Sequence, residues 1–250
     1  LGRVDQDERP IHKKNQRFKV RPAIIIFAKS PVPGKVKTRL AETIGSGKAA
    51  SLYLAMVRDA ARAARETGAA LRWWVEGEAG DLKELTGVDP VRRQCGGDLG
   101  ARLSEAFREA FSEGFGPVAA IGTDCPYLES AHLSNLLENA SSFDASFIPS
   151  PDGGYSAVAL KAPLVAVFQD IPWSSPDTLS VSLERISEAG KTYRLQDPLE
   201  DIDDFESLRR FSASLNEKKL HSATETEKML LSPEFTFFTA KTAAKTKIRG

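Results

Sequence analysis

From residue 23 onward the chain alternates short apolar runs with amphipathic stretches, and this alternation restricts the possible folds more than any other feature of the sequence. Ala23–Phe27 reads as a buried β-branched strand that stops at a loop containing Pro and Gly. A helix is predicted from about Gly47 to Glu66, where Ala49, Leu52, Tyr53, Met56, Val57, Ala60 and Ala64 recur at helical spacing before Gly68 ends it. Leu71–Val75 reads as a second strand, followed by a short helix near Asp81–Leu85 and an extended piece at Val91–Gln94. Leu103, Ala106, Phe107, Ala110 and Phe111 mark the next apolar helix face. Val118–Ile121 is a central strand running into Gly122-Thr123-Asp124, and a helix over Ser130–Asn139 comes after it. Strands at Ala145–Ile148 and Tyr155–Leu160 flank the turn Pro151-Asp152-Gly153-Gly154. Ser175-Pro176 reads as a helix start, a strand follows at Thr192–Leu195, and a helix from about Asp204 closes the domain. The fold class is therefore α/β: a three-layer α/β/α sandwich around a mainly parallel sheet.

A chain of 250 residues with 41% hydrophobic and 27% charged residues can bury such a core without disulfide staples. Its two cysteines, Cys95 and Cys125, form no CxxC pair, and three scattered histidines complete no zinc spacing, which suits a reducing compartment. The first twenty residues hold no apolar run long enough for a signal-peptide core, and Ala23–Ala28 is far too short to span a bilayer. A cytoplasmic location with no membrane span is expected. Net charge is zero, yet residues 1–20 and 217–250 are basic, leaving 21 Lys/Arg against 27 Asp/Glu in residues 21–216. An acidic middle argues against a nucleic-acid surface. The expected organisation is a basic flexible extension at 1–20, a nucleotide-binding domain at 21–215 and a flexible extension at 216–250.

In parallel sheets ligands sit beyond the carboxyl ends of the strands, and the post-strand segments here carry the unusual chemistry. IIIFAKSPVPGKVKTRL places Lys29, Lys35, Lys37 and Arg39 in one loop, with Gly34 able to bring backbone close to a ligand. Amides at the start of the following helix can donate to phosphate oxygens, so the segment reads as a polyphosphate cradle. It matches neither GxxxxGK[ST] nor GxGxxG. In AAIGTDCP, Asp124 directly after a strand can offer oxygen to Mg²⁺ or Mn²⁺. Asp203, within DPLEDIDDFESL, is placed to complete such a site from the far end of the chain, with Asp204 as the helix cap. Gly96-Gly97-Asp98-Leu99-Gly100 permits close approach of a flat ligand. No Ser-His-Asp or Cys-His constellation supports a covalent route.

Taken in order, FAKSPVPGKVKTRL, QCGGDLGARL, GTDCPYL, PDGGYSAVAL, PWSSPDTL and DIDDFESL resemble the uncharacterised glycosyltransferase-A-fold family of cofactor-guanylyltransferase-like proteins, within the nucleotide-diphospho-sugar transferase superfamily. The matching extends over roughly residues 23–212. The resemblance implies a nucleotide laid across the N-terminal half of the sheet. Its phosphates would be held by Lys29, Lys37 and Arg39, its base by Gln94, Asp98 and Gly100, and Ala28 and Gly34 would also belong to the nucleotide-binding set. It further implies a metal on Asp124 and Asp203, and an acceptor side formed by Asp152, Gly153, Gly154 and Tyr155. Lys37, Arg39 and Asp124 are the expected catalytic groups. The function expected on this basis is a metal-dependent glycosyltransferase using a nucleotide-activated donor and a small-molecule acceptor. Nucleotidyl transfer with pyrophosphate release is the alternative, and a non-catalytic nucleotide-binding regulator is a reading of another class. PDGGYSAVAL lacks the bulkier residues that the family carries after the tyrosine, and Asp204 stands where Thr-Pro is usual. Both departures bear on the acceptor.

Overall fold

The computed structural model describes residues 20–215 and 224–235. Seven strands form one sheet: β1 (Ala23–Lys29), β2 (Ala70–Glu76), β3 (Val91–Arg93), β4 (Val118–Ile121), β5 (Ala145–Pro149), β6 (Tyr155–Leu160) and β7 (Tyr193–Leu195). Their spatial order is β3-β2-β1-β4-β6-β5-β7. All neighbours run parallel except β6, which is antiparallel to both β4 and β5. The helices are α1 (Thr38–Ile44), α2 (Ser46–Glu66), α3 (Lys83–Thr86), α4 (Leu99–Ser112), α5 (Ser130–Ser142), α6 (Thr178–Glu188), α7 (Phe205–Leu215) and α8 (Glu225–Leu230). None of the described helices is long and apolar enough to cross a membrane.

The three layers follow from the period-two alternation of strand side chains. Ile24, Ile26 and Ala28 of β1 join the core beneath α2 and α5, while Ala23 and Ile25 face the core that α4 supplies through Leu103 and Phe107. Both faces of β1 are thus buried, which explains its unbroken Ile24-Ile25-Ile26 run. Full burial of each such side chain contributes about 1.5–3 kcal/mol.

Three local expectations differ from the structure. Gly45, at φ 87, separates a seven-residue α1 from α2, so the helix read from Gly47 is preceded by a second, shorter one. Ser175-Pro176 does not open α6. Ser175 instead closes a turn, its carbonyl accepting the Thr178 N–H at 3.1 Å and its hydroxyl accepting the Asp177 N–H at 3.2 Å. Residues 224–235, read as part of a flexible extension, include α8 packed on α2. Thr226, Leu230 and Phe235 are buried there, and the buried carboxylate of Asp59 accepts the N–H groups of Glu225 and Thr226 at 2.9 and 2.8 Å. An acid on the apolar face of α2 needs such partners, and the first turn of α8 supplies them. The expected extension at 1–20 lies outside the described residues up to residue 19, as do 216–223 and 236–250.

Candidate active site

The carboxyl ends of β1 and β4 and the turn between β5 and β6 share one edge of the sheet, and two cavities open there. The larger, about 540 Å³, is lined by Ala28, Lys29, Lys35, Lys37 and Arg39 from the loop after β1, and by Gln94 and Arg102. The smaller, about 360 Å³, lies between Asp152–Val158 and the segment 173–178. Asp124 lines both cavities, so the two meet at its carboxylate.

Lys37 precedes α1 in a left-handed conformation (φ 46, ψ 49), which costs a non-glycine residue about 1–3 kcal/mol. Its side chain runs inward and is 5% exposed, with the ammonium donating to Asp203 Oδ1 at 2.7 Å and Asp124 Oδ2 at 3.0 Å. Burial alone lowers the Lys37 pKa, but the two carboxylates outweigh it and hold it above the ordinary lysine value. For Asp124 burial pushes upward and the Lys37 charge prevails, holding the carboxyl below its ordinary value. A Cβ at Gly122 would lie 3.0 Å from Asp124 Oδ1, so a larger residue there would press on the carboxylate.

The C-terminal acids arrive because the Ile202 N–H donates to the Asp124 carbonyl at 2.9 Å. This brings Asp201 alongside, a residue that the sequence reading passed over. Carboxylate oxygens of Asp124, Asp201 and Asp203 lie within 4.8 Å of one another. Burial, followed by the charges of Asp124 and Asp203, raises the Asp201 pKa to about 6. The available signal was the Asp201/Asp203 spacing of two ahead of Asp204, which caps α7 by accepting the Ser207 N–H at 2.8 Å. Tyr53 was read only as part of an apolar helix face. Its hydroxyl accepts the Lys29 N–H at 2.7 Å and lies 3.0 Å from Thr123 Oγ1, joining the loops after β1 and β4.

The remaining expected residues divide. Lys29 sits 3.4 Å from Glu76 on the wall of the larger cavity. Gln94 Nε2 donates to the carbonyls of Ala28 and Trp74, and its Oε1 accepts from Arg102, which also pairs with Glu76. Its amide thus fixes the cavity wall. Asp98, expected at the base, caps α4 by accepting the Ala101 N–H at 2.8 Å and lines neither cavity. Gly100 lines neither cavity, and a Cβ there would collide with the Phe168 carbonyl and the Trp173 indole. Gly34 occupies an exposed turn at φ 80. Gly153, at φ 89, lies so close to the Pro176 backbone that no side chain fits, and its carbonyl accepts the Leu179 N–H at 2.9 Å. Gly100 and Gly153 therefore seat the 168–178 segment from two sides. Asp152, Gly154 and Tyr155 line the smaller cavity, with the Tyr155 ring edge-on to Trp173 at 6.3 Å.

Residues 43–175 match the family described as "Uncharacterized protein conserved in bacteria", DUF2064. The chain is 31% identical over 200 residues to a phosphoenolpyruvate guanylyltransferase of Rubrobacter xylanophilus, covering 76% of this chain and 94% of that protein. A Desulfovibrio desulfuricans structure named for the nucleotide-diphospho-sugar transferases superposes with a TM-score of 0.81 at 27% identity, covering 88% of this chain and 97% of that one. A nucleotidyl transferase from Methanothermobacter shares the fold at a TM-score of 0.53 and 17% identity, covering 79% of this chain and 99% of that one.

Proposed function

The chain belongs to the DUF2064 family of the nucleotide-diphospho-sugar transferase superfamily and is a transferase, and from that premise we propose that it transfers a nucleotidyl group from a nucleoside triphosphate to a phosphate-bearing acceptor. The observation that carries the reading is the pair of cavities meeting at Asp124, one lined by Lys29, Lys35, Lys37 and Arg39 and the other without a single Lys or Arg. A triphosphate finds its counter-charges on the first side. An acceptor in the second reaches the α-phosphorus at the shared edge. This inverts the order that the two chemistries held on sequence grounds, where glycosyl transfer stood first. A relative at 31% identity named for guanylyl transfer makes GTP the first donor to test.

In the proposed reaction an acceptor phosphate oxygen forms a bond to the α-phosphorus, the bridging P–O bond to the β-phosphorus breaks, and pyrophosphate leaves with the bonding pair. Lys29, Lys35 and Arg39 hold the departing phosphates, and Lys37 places a positive charge beside Asp124, where negative charge grows. Tyr53 keeps the two loops in register through its bonds to Lys29 and Thr123. Cys125 supplies no covalent step, since burial pushes its thiol up to about 12.

Three carboxylates within 4.8 Å, two of them paired with the Lys37 ammonium, form an oxygen donor set that fits a hard divalent cation. Asp124, Asp201 and Asp203 would hold Mg²⁺ or Mn²⁺, which when bound neutralises phosphate charge and orients the polyphosphate. Glycosyl transfer is the second reading, favoured by the hydroxyl-bearing, cation-free lining of the smaller cavity.

The deciding experiment incubates the protein with GTP, Mg²⁺ and a panel of phosphate monoesters, and follows pyrophosphate. Acceptor-dependent pyrophosphate, lost by about 10²-fold or more in Asp124→Ala, is the expected result. Nucleoside diphosphate released from a nucleotide sugar, with no pyrophosphate from any triphosphate, would overturn it in favour of glycosyl transfer.

A further inference from the structure

We propose that Lys37 is an exchangeable counter-ion: its ammonium holds the carboxylate cluster until a divalent cation takes those carboxylates, and then turns to the polyphosphate of the incoming nucleotide. This rests on the cation and nucleotide reading above and deepens it, but it does not depend on which group is transferred.

Of the four cations that β1 and the loop after it supply, Lys37 alone is withdrawn from solvent. Lys35 and Arg39 are exposed, and Lys29 keeps 54% of its side-chain surface open, against 5% for Lys37. Two hydrogens of the Lys37 ammonium go to acids from distant parts of the chain, Asp203 Oδ1 at 2.7 Å and Asp124 Oδ2 at 3.0 Å. The residue that stands ready for phosphate in the sequence is thus engaged elsewhere in the fold.

The same acids belong to the oxygen cluster that fits a divalent cation. Mg²⁺ takes carboxylate oxygens at about 2.1 Å. An ammonium at 2.7 and 3.0 Å from two of these carboxylates lies against any cation they bind, and like charges so close repel. Metal and ammonium therefore compete for Asp124 and Asp203. The displaced charge has a short way to go. Lys37 lines the larger cavity together with Lys29, Lys35 and Arg39, and its flexible four-carbon stem can swing the ammonium into that space while the backbone stays in place.

The consequence is a coupling between the two ligands. A cation arriving alone must break both ion pairs. A polyphosphate arriving alone meets Lys37 already engaged and the carboxylates of Asp124 and Asp203 on the cavity wall. Arriving together, the cation releases the ammonium that the polyphosphate needs, and the polyphosphate gives that ammonium a new partner. Each then strengthens the other by the same factor. A lysine committed only to phosphate would leave the cation's own affinity untouched, and this separates the two roles.

The test measures binding rather than turnover, on the full chain and its Lys37→Met variant. Mn²⁺ is titrated calorimetrically without nucleotide, then with the α,β-methylene analogue of GTP, then with GDP-mannose. Without nucleotide the variant is expected to bind Mn²⁺ about tenfold tighter, and the factor by which nucleotide tightens Mn²⁺ should shrink by about tenfold, within the usual span of site coupling. Equal or weaker Mn²⁺ binding by the variant overturns the proposal. A second measurement needs no substitution: reductive methylation of the lysines, read by mass spectrometry. Lys37 should react slowly in EDTA, about threefold faster or more with Mg²⁺ alone, and slowly again with Mg²⁺ and the GTP analogue. Labelling of Lys37 that Mg²⁺ leaves unmoved overturns the exchange. Coupling with GDP-mannose and none with the triphosphate analogue would uphold the exchange and overturn the nucleotidyl reading.

Discussion

Replacing Lys37 by Met removes the one ammonium that bridges Asp124 and Asp203 while keeping the length and apolar stem of the side chain. Met is no better suited than Lys to φ 46, so the backbone term cancels and the charge term remains. Deleting one partner of a buried ion pair costs about 3–5 kcal/mol, and an exposed pair contributes less than about 1 kcal/mol. Lys37 is 5% exposed, but Asp124 and Asp203 keep 39% and 52% of their side-chain surface open to water. The expected cost therefore falls between the two limits, at about 2 kcal/mol. For a domain of this size each kcal/mol shifts Tm by about 2–4 °C, so melting in EDTA should fall by about 4–8 °C. The carboxylates left behind lose their internal competitor for a cation, and a metal at a hundred times its Kd adds about 2.7 kcal/mol. Melting curves of both proteins across a Mn²⁺ or Mg²⁺ titration should thus converge, with the larger metal-induced rise in the variant. An unchanged Tm in EDTA would refute the charge argument. A lowered Tm that no divalent cation recovers would refute the assignment of a cation to Asp124, Asp201 and Asp203.

Gly153→Ala forces a Cβ into the Pro176 backbone at φ 89, so the 173–178 segment must lift. Calorimetric titration should find GTP affinity within about twofold of the original, while acceptor-dependent turnover falls by at least tenfold, about 1.4 kcal/mol; loss of GTP binding would merge the two cavities into one functional unit. Asp59→Ala leaves the Glu225 and Thr226 N–H groups without their acceptor, at about 1–3 kcal/mol, and should raise amide hydrogen exchange over 224–235 with nucleotide binding unchanged. Exchange in 224–235 equal to the parent's would show that Leu230 and Phe235 hold the segment unaided. A thiol reagent at pH 8 should modify the exposed Cys95 at once and Cys125 only on unfolding, because burial raises the Cys125 thiol to about 12. Two fast-reacting thiols in the native protein would contradict that burial.

The strands and long helices were legible because their signals are local. Val118–Ile121 and Tyr155–Leu160 match the observed β4 and β6 residue for residue, since each apolar run is bounded by turn residues. Ser175-Pro176 misled for a tertiary reason: its capping hydroxyl is spent on a turn that Gly153 and Gly100 hold in place from distant parts of the chain. The same distance hid the purposes of three site residues. Gly100 reads as room for a ligand but makes room for Trp173, Asp98 reads as a ligand group but caps α4, and Tyr53 reads as core but ties two loops. A residue type names what a side chain can do, and only its neighbours decide which of those things it does.

The two halves of the site differ in legibility for the reason that they differ in chemistry. Of the cations of the larger cavity, Lys29, Lys35, Lys37 and Arg39 come from β1 and the loop after it, so their concentration is visible along the sequence, and Arg102 joins them from α4. The acids come from distant parts of the chain, Asp124 after β4 and Asp201 and Asp203 before α7, and are joined by the Ile202–Asp124 backbone bond and by the Lys37 ammonium. That separation places the negative charge on the far wall of the cradle. A bare polyphosphate entering the cradle is drawn by Lys29, Lys35 and Arg39 and repelled by Asp124 and Asp203, with Lys37 held between. The balance favours a polyphosphate that brings its own cation.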